Sequence, residues 1–190
     1  VRSNPYGWTI VALCFVALCM IYAARSSLGL MMPFWEQEPG WSRPFASSAG
    51  ALVLALMAFS SPFAGNLLDR LGPRLVLVCG LVCVAAGVLL TSQASAEWEL
   101  ILFYSVFVGL GSGAIAMPLV STAVALYFTE NRGPATGIGF AGATGGQLVA
   151  LPALGLLVTT IGWRGTYLIL GVVILSLALG AWYLVGNRPR

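Results

Sequence analysis

Charge is scarce in this chain. Only 8% of its residues are Asp, Glu, Lys or Arg, against about 25% in a soluble domain. So few charges cannot clothe a water-facing surface, which excludes a soluble globule. Histidine is absent, removing the usual imidazole base and zinc ligand. Cys14, Cys19, Cys79 and Cys83 all sit inside apolar runs, where a thiol acts as a small hydrophobe. A metal or redox site has no ligand set, and no nucleophile–base pair is in reach. These absences exclude an enzyme and leave no cofactor expected. Lysine is missing too: all nine basic residues are arginine.

What remains is apolar. Hydrophobic residues make up 59% of the chain, and the mean hydropathy is +0.93. Long apolar runs recur, and runs of about 20 residues cross a bilayer core of about 30 Å as helices. The class is a polytopic all-α membrane protein. Six spans are expected, at Tyr6–Met32, Phe45–Leu67, Leu75–Thr91, Leu100–Phe128, Ala135–Ile161 and Gly165–Val185. The net charge of +3 is no sign of nucleic acid, because the arginines lie mostly at helix ends. A chain that begins at Val1 reads as a processed or trimmed product. Its first apolar run has no small-residue cleavage site and reads as a spanning helix, not a signal peptide.

One stretch organises the rest. Pro62–Arg74, PFAGNLLDRLGPR, places Asp69, Arg70 and Arg74 between two apolar runs. Its skeleton returns ninety residues on as Pro152–Arg164: Pro62, Gly65, Leu67, Gly72 and Arg74 recur as Pro152, Gly155, Leu157, Gly162 and Arg164. Pro44 recurs likewise as Pro134. Several matches at one ungapped offset point to a duplicated unit, with residues 1–91 and 92–190 as two three-helix repeats.

Arginine placement sets the expected orientation. Arg2, Arg70, Arg74, Arg132, Arg188 and Arg190 fall on one side, and Arg43 and Arg164 on the other with Glu36, Glu38, Glu97 and Glu99. Both termini and the Pro62–Arg74 loop are therefore expected in the cytoplasm. Trp8, Trp35, Trp41, Trp98, Trp163 and Trp182 fall near helix ends, as an interfacial belt would have them. An offset of three helices puts the two copies on opposite sides of the membrane. That is an inverted-topology repeat, a device of secondary transporters; chance recurrence of Gly- and Pro-rich turns is the bland alternative.

Gly65-Asn-Leu-Leu-Asp69-Arg70-Leu-Gly72-Pro-Arg74 resembles the signature loop between helices two and three of the major facilitator superfamily. Leu68 stands where a small residue is usual and Pro73 where a basic one is. Phe128-Thr-Glu130-Asn-Arg132-Gly133 is similar to the family's acidic–basic turn between helices four and five. The resemblance implies half of a twelve-helix transporter that rocks against a second six-helix half, or against another copy of this chain. It implies integration in the plasma membrane, or the inner membrane of a bacterium.

Two groups of residues then carry function. Asp69 can favour a helix N-terminus, with Arg70, Arg74, Glu130 and Arg132 pairing around it and Gly65 and Gly72 permitting a tight turn and close helix approach. This set reads as a cytoplasmic gate, or else as a positive-inside anchor. Arg25 is the sole formal charge inside a span. It lies about 25 Å beyond Trp8 at 1.5 Å per residue. Such a charge costs at least a few kcal/mol and faces a cavity or bundle interior, unless it snorkels outward. With no acid in the spans, an anionic substrate is its natural counter-ion, and Tyr22, Ser26 and Ser27 make its surroundings polar. Gly109/Gly113 and Gly142/Gly146 have helix-packing spacing. Thr144 and Gln147 are candidate cavity residues; Tyr104, Ser112, Ser121 and Tyr127 are fainter ones.

Within the superfamily, Tyr6-Gly7-Trp8, Arg25 and Gly40-Trp41-Ser42-Arg43 are similar to the monocarboxylate and oxalate:formate exchanger branch. In that branch a first-helix cation handles a carboxylate. The arginine that drug/proton antiporters carry early in helix four is missing from Phe103–Val108. The expected function is transport of small organic anions by alternating access. The rivals are an assembly or sensor subunit that kept the fold, and a transporter of another anion such as nitrate or a phosphorylated sugar. A phosphorylated substrate would call for more than one cavity arginine.

Overall fold

A computed structural model of the chain describes residues 5–38, 40–115, 117–128 and 132–185. These residues are almost entirely helical. Four stretches are long and apolar enough to cross a membrane, rather than the six separate spans expected. They are α1 (Pro5–Gln37), α2 (Arg43–Ser92), α3 (Glu97–Tyr127) and α4 (Arg132–Leu184).

The count falls because two of these stretches are each a pair of helices joined at one glycine. Gly72 breaks α2 at φ 80°, ψ 167°, and Gly162 breaks α4 at φ 73°, ψ 172°. Both sit in a region that is essentially glycine-only. The two repeat-related glycines thus share one backbone conformation. A straight helix of 50 residues would run about 75 Å at 1.5 Å per residue, over twice a bilayer core.

The packing register shows what each glycine does. Ala49 accepts a hydrogen bond from Ser105, Gly109 packs on Val53, and Gly113 on Met57. Numbers rise together, so the first limb of α2 runs parallel to α3. Gly87 packs on Phe103 and Phe107, and Gly80 on Gly111 and Ile115. Here numbers run oppositely, so the second limb is antiparallel to α3. The chain reverses at Gly72. In α4, Gly142 and Gly146 pack on Phe15 and Cys19, whereas Trp163, Tyr167 and Leu184 meet Trp35, Ser27 and Tyr6. The chain reverses again at Gly162.

Two departures from regular α-helix have local causes. Ile115 leaves the helix at φ −105°, ψ 47° because Pro118 has no N–H and its ring crowds the carbonyl four residues back. A π-helical turn at Gly146–Ala150 precedes Pro152 in the same way. Close contact is achieved by absent side chains: a Cβ on Gly142 or Gly146 would stand 2.2 Å from the Phe15 or Cys19 carbonyl oxygen.

Three of the six tryptophans correct the interfacial-belt expectation. Trp35, Trp41 and Trp163 are buried, with ring centroids 5.9 to 6.3 Å apart. They converge from α1, the α1–α2 connection and α4 at one end and find one another instead of headgroups. Trp8, Trp98 and Trp182 are exposed.

Gly72→Ala and Gly162→Ala are each expected to lower stability by about 1–3 kcal/mol. No atom lies within 4 Å of either would-be Cβ, so the cost is one of backbone alone. Gly137, equally open but helical, is expected to gain up to about 1 kcal/mol as alanine. Thermal unfolding in detergent separates the three; equal midpoints would remove the glycine-reversal argument.

Candidate functional site

Arg25 lies midway along α1, and its side chain is half-buried. Its guanidinium stands 4.8 Å from the Tyr22 ring centroid and donates to the Met57 thioether at 3.5 Å. Both contacts suit a cation: one is electrostatic attraction to a ring face, the other a soft acceptor. Neither neutralises it. Among the described residues the one ion pair is Arg43 with Glu36, at 2.6 Å.

Two cavities flank this guanidinium. One of about 420 Å³ is lined by Arg25, Ser26, Leu28, Gly29, Gly50, Val53, Leu54 and Tyr104. The other, of about 220 Å³, is lined by Ile21, Tyr22, Arg25, Met57, Ser112, Ile115, Met117 and Pro118. Tyr22 and Ser26, named with Arg25 from the sequence, thus share its cavities. Thr144 and Gln147 line neither and are exposed. Gly146 seats against Cys19, so Gln147 is carried below the level of Arg25 and around the helix.

The backbone under Arg25 is held by a residue the sequence marked only faintly. The hydroxyl of buried Tyr104 donates to the Ala24 carbonyl at 2.6 Å, within 3.2 Å of the Arg25 carbonyl. The Ser27 hydroxyl donates to the Ala24 carbonyl at 2.7 Å and lies 3.3 Å from the Tyr167 hydroxyl. The Tyr104 and Tyr167 rings are 6.1 Å apart. Beyond them lies the tryptophan cluster, where the Trp163 indole N–H donates to Glu38 at 2.6 Å. One buried aromatic column therefore ties α1, α3 and α4 together directly behind Arg25.

The second group is arranged otherwise than as a ring of ion pairs. Arg74 donates to the Trp182 carbonyl and lies 4.3 Å from the centroid of its ring. Arg132 donates to the Phe128 carbonyl at 2.6 Å. Asp69 and Arg70 are exposed on the first limb of α2. Gly65 lines a small cavity with Gly113 and Pro118. Gly72 is the reversal point. Glu130 lies outside the described residues. Among those described, no ion pair joins Asp69, Arg70, Arg74 and Arg132, because carbonyls at helix ends already engage two of the arginines.

Arg164 mirrors Arg74. It donates to the Ala94 carbonyl at 3.0 Å, just past the end of α2, while Arg74 near the start of the second limb of α2 reaches the end of α4. Each of two antiparallel helices thus has its terminal carbonyls met by the other's arginine, as cations favour helix C-termini.

The Major Facilitator Superfamily model matches residues 14–190. The chain belongs to that superfamily. It is 32% identical to human monocarboxylate transporter 11 over 92% of this chain and 37% of the relative. It is 28% identical to mouse monocarboxylate transporter 3, over 91% of this chain and 35% of the relative. Human monocarboxylate transporter 14 matches at 28% over 93% and 34%. The chain spans about a third of the length of these relatives. The superfamily places the chain among membrane transporters rather than enzymes, and the relatives place it near the monocarboxylate branch.

Tyr104→Phe removes one of two side-chain donors to the Ala24 carbonyl and leaves that of Ser27. A loss of about 0.5–1.5 kcal/mol is expected, read as a lower thermal midpoint in detergent. An unchanged midpoint would show that the column does not brace α1.

Proposed function

We propose that this chain is one half of a secondary or facilitative transporter for small organic anions, with Arg25 as the anion's partner. The observation that carries the reading is a half-buried guanidinium between two cavities with no carboxylate beside it among the described residues. A charge at membrane depth needs a counter-charge or water, and an anion entering either cavity supplies it. Similarity to proteins named monocarboxylate transporters favours a monocarboxylate. Tyr22 and Ser26 complete the first contacts, while Thr144 and Gln147, exposed on α4, are read as lining the substrate's path away from Arg25.

The architecture proposed is six passes in two inverted three-helix repeats, residues 1–91 and 92–190. Support comes from the chain reversals at Gly72 and Gly162, their matching dihedral angles, and the reciprocal arginines at 74 and 164. A second six-helix half, or another copy of this chain, supplies the opposite wall, and rocking between them exposes Arg25 to each side in turn. The cytoplasmic gate is read as Gly65, Asp69, Arg70, Gly72, Arg74, Glu130 and Arg132. In it Arg74 acts through the helix end at Trp182. The membrane is the plasma membrane, with both termini cytoplasmic.

Arg25→Ala is expected to lower uptake of L-lactate or pyruvate into proteoliposomes at least a hundred-fold, with the thermal midpoint within a few degrees of the parent. Arg25→Lys keeps the charge but loses the planar fork and is expected to retain part of the rate. Undiminished uptake by Arg25→Ala would take Arg25 out of the site.

A further inference from the structure

Six serines and threonines are buried among the residues described: Ser27, Thr91, Ser92, Ser105, Ser112 and Thr166. Five donate to a backbone carbonyl, at Ala24, Gly87, Leu89, Ala49 and Gly162 respectively. Ser112 alone of the six has no partner, and its oxygen is sealed from bulk water. A helical serine ordinarily bonds back to a carbonyl three or four residues earlier. A buried hydroxyl left without a bond is unfavourable, so its persistence needs a reason.

Its position supplies one. Ser112 lines the same cavity of about 220 Å³ as Arg25 and Tyr22. It reaches that wall from α3, where Gly111 and Gly113, on either side, pack directly against Gly80 and Met57. These close contacts fix the backbone of Ser112 within tight limits. The remaining walls are Ile21, Met57, Ile115, Met117 and Pro118. The cavity thus brings together one cation, the Ser112 side chain and the Tyr22 phenol against an otherwise apolar lining.

We infer that Ser112 is a second anchor for the transported anion, donating a hydrogen bond to a carboxylate oxygen held by Arg25. The inference rests on the reading of Arg25 as the substrate's partner and adds a role for α3. A monocarboxylate with a short aliphatic tail matches the lining: its charged head meets Arg25 and Ser112, and its tail lies against Met57, Ile115 and Met117. A dicarboxylate would press its second charge onto thioethers and aliphatic carbons, where a charge is heavily penalised.

The test uses the complete transporter reconstituted in proteoliposomes, with L-lactate, propionate and succinate as probes. Ser112→Ala is expected to raise the KM for L-lactate and propionate about ten-fold, in keeping with loss of a hydrogen bond to a charged group. Vmax is expected to stay within two-fold. The midpoint of the unliganded protein is expected to hold or rise, because an unmet buried hydroxyl is removed, while the midpoint gain from saturating L-lactate shrinks. Ser112→Cys keeps the volume but weakens the donor and is expected to follow Ser112→Ala. Succinate is expected to be carried poorly by the parent. An unchanged KM in Ser112→Ala, with Arg25→Ala inactive, overturns the Ser112 inference and leaves the Arg25 reading standing. Full uptake in Arg25→Ala overturns both. A raised KM in Ser112→Ala alone, with Ser112→Cys like the parent, marks a packing effect and also overturns it.

Discussion

Everything in this molecule depends on reversing a long apolar chain within the thickness of a bilayer without leaving backbone groups unpaired. In hydrocarbon each orphaned N–H or C=O costs several kcal/mol, so spans must be helical and loops must reach the surface. Gly72 and Gly162 meet this demand with one residue of extended, left-handed-side backbone apiece. So short a turn leaves the flanking helix ends with few donors of their own. Arg74 and Arg164 then meet carbonyls at the ends of partner helices. The glycine makes the turn, and the arginine two residues on couples it to a neighbour. This pairing of roles explains why both residues recur together at the ninety-residue offset.

Once the chain has reversed, the helices must be drawn together without much hydrophobic drive, since lipid tails are as apolar as leucine. Dispersion contact and hydrogen bonds have to suffice, and both require close approach. Gly142 and Gly146 bring α4 onto α1 at Phe15 and Cys19; Gly109, Gly111 and Gly113 bring α3 against both limbs of α2. Side-chain hydrogen bonds follow where the backbones are near, as from Ser105 to Ala49 and from Tyr104 to Ala24. The functional consequence is rigidity under Arg25. Its α1 backbone is gripped by α4 on one flank and by Tyr104 of α3 on another.

How far the sequence told this story depends on whether each feature is local. The reversals were legible, because a turn glycine and its arginine announce themselves within a few residues. Arg25 was legible as well, since one charge in a long apolar run stands out at any register. The helices on either side of Gly72 and Gly162 were marked separately, and the structure runs them on as pairs; a single residue of non-helical backbone is too short a break to divide them by length and apolarity. The fate of Trp35, Trp41 and Trp163 was not legible. Nearness to a helix end does not say whether an indole faces headgroups or neighbouring helices, and here that depends on Trp163 of α4 meeting Trp35 and Trp41 more than a hundred residues earlier. The same limit applies to Arg74, whose partner lies 108 residues away. Thr144 and Gln147 were named for polarity alone, and rotation about the helix axis decided their exposure.

Arg25 shows how stability and function divide in such a bundle. A guanidinium paired with a buried acid would be held firmly, and removing either partner would then be strongly destabilising. Here the neighbours are a tyrosine face and a thioether, which stabilise the cation without cancelling its field. Among the described residues, no carboxylate cancels the charge. On the proposed reading, a carboxylate of the protein in that place would compete with the substrate at every cycle and slow its arrival and release. The column of Tyr104, Tyr167 and Trp35 behind α1 positions the arginine by packing and hydrogen bonds to its backbone, and therefore without charge. Positioning and neutralisation are thus separated: packing and backbone hydrogen bonds supply the first, and on the proposed reading an anion supplies the second.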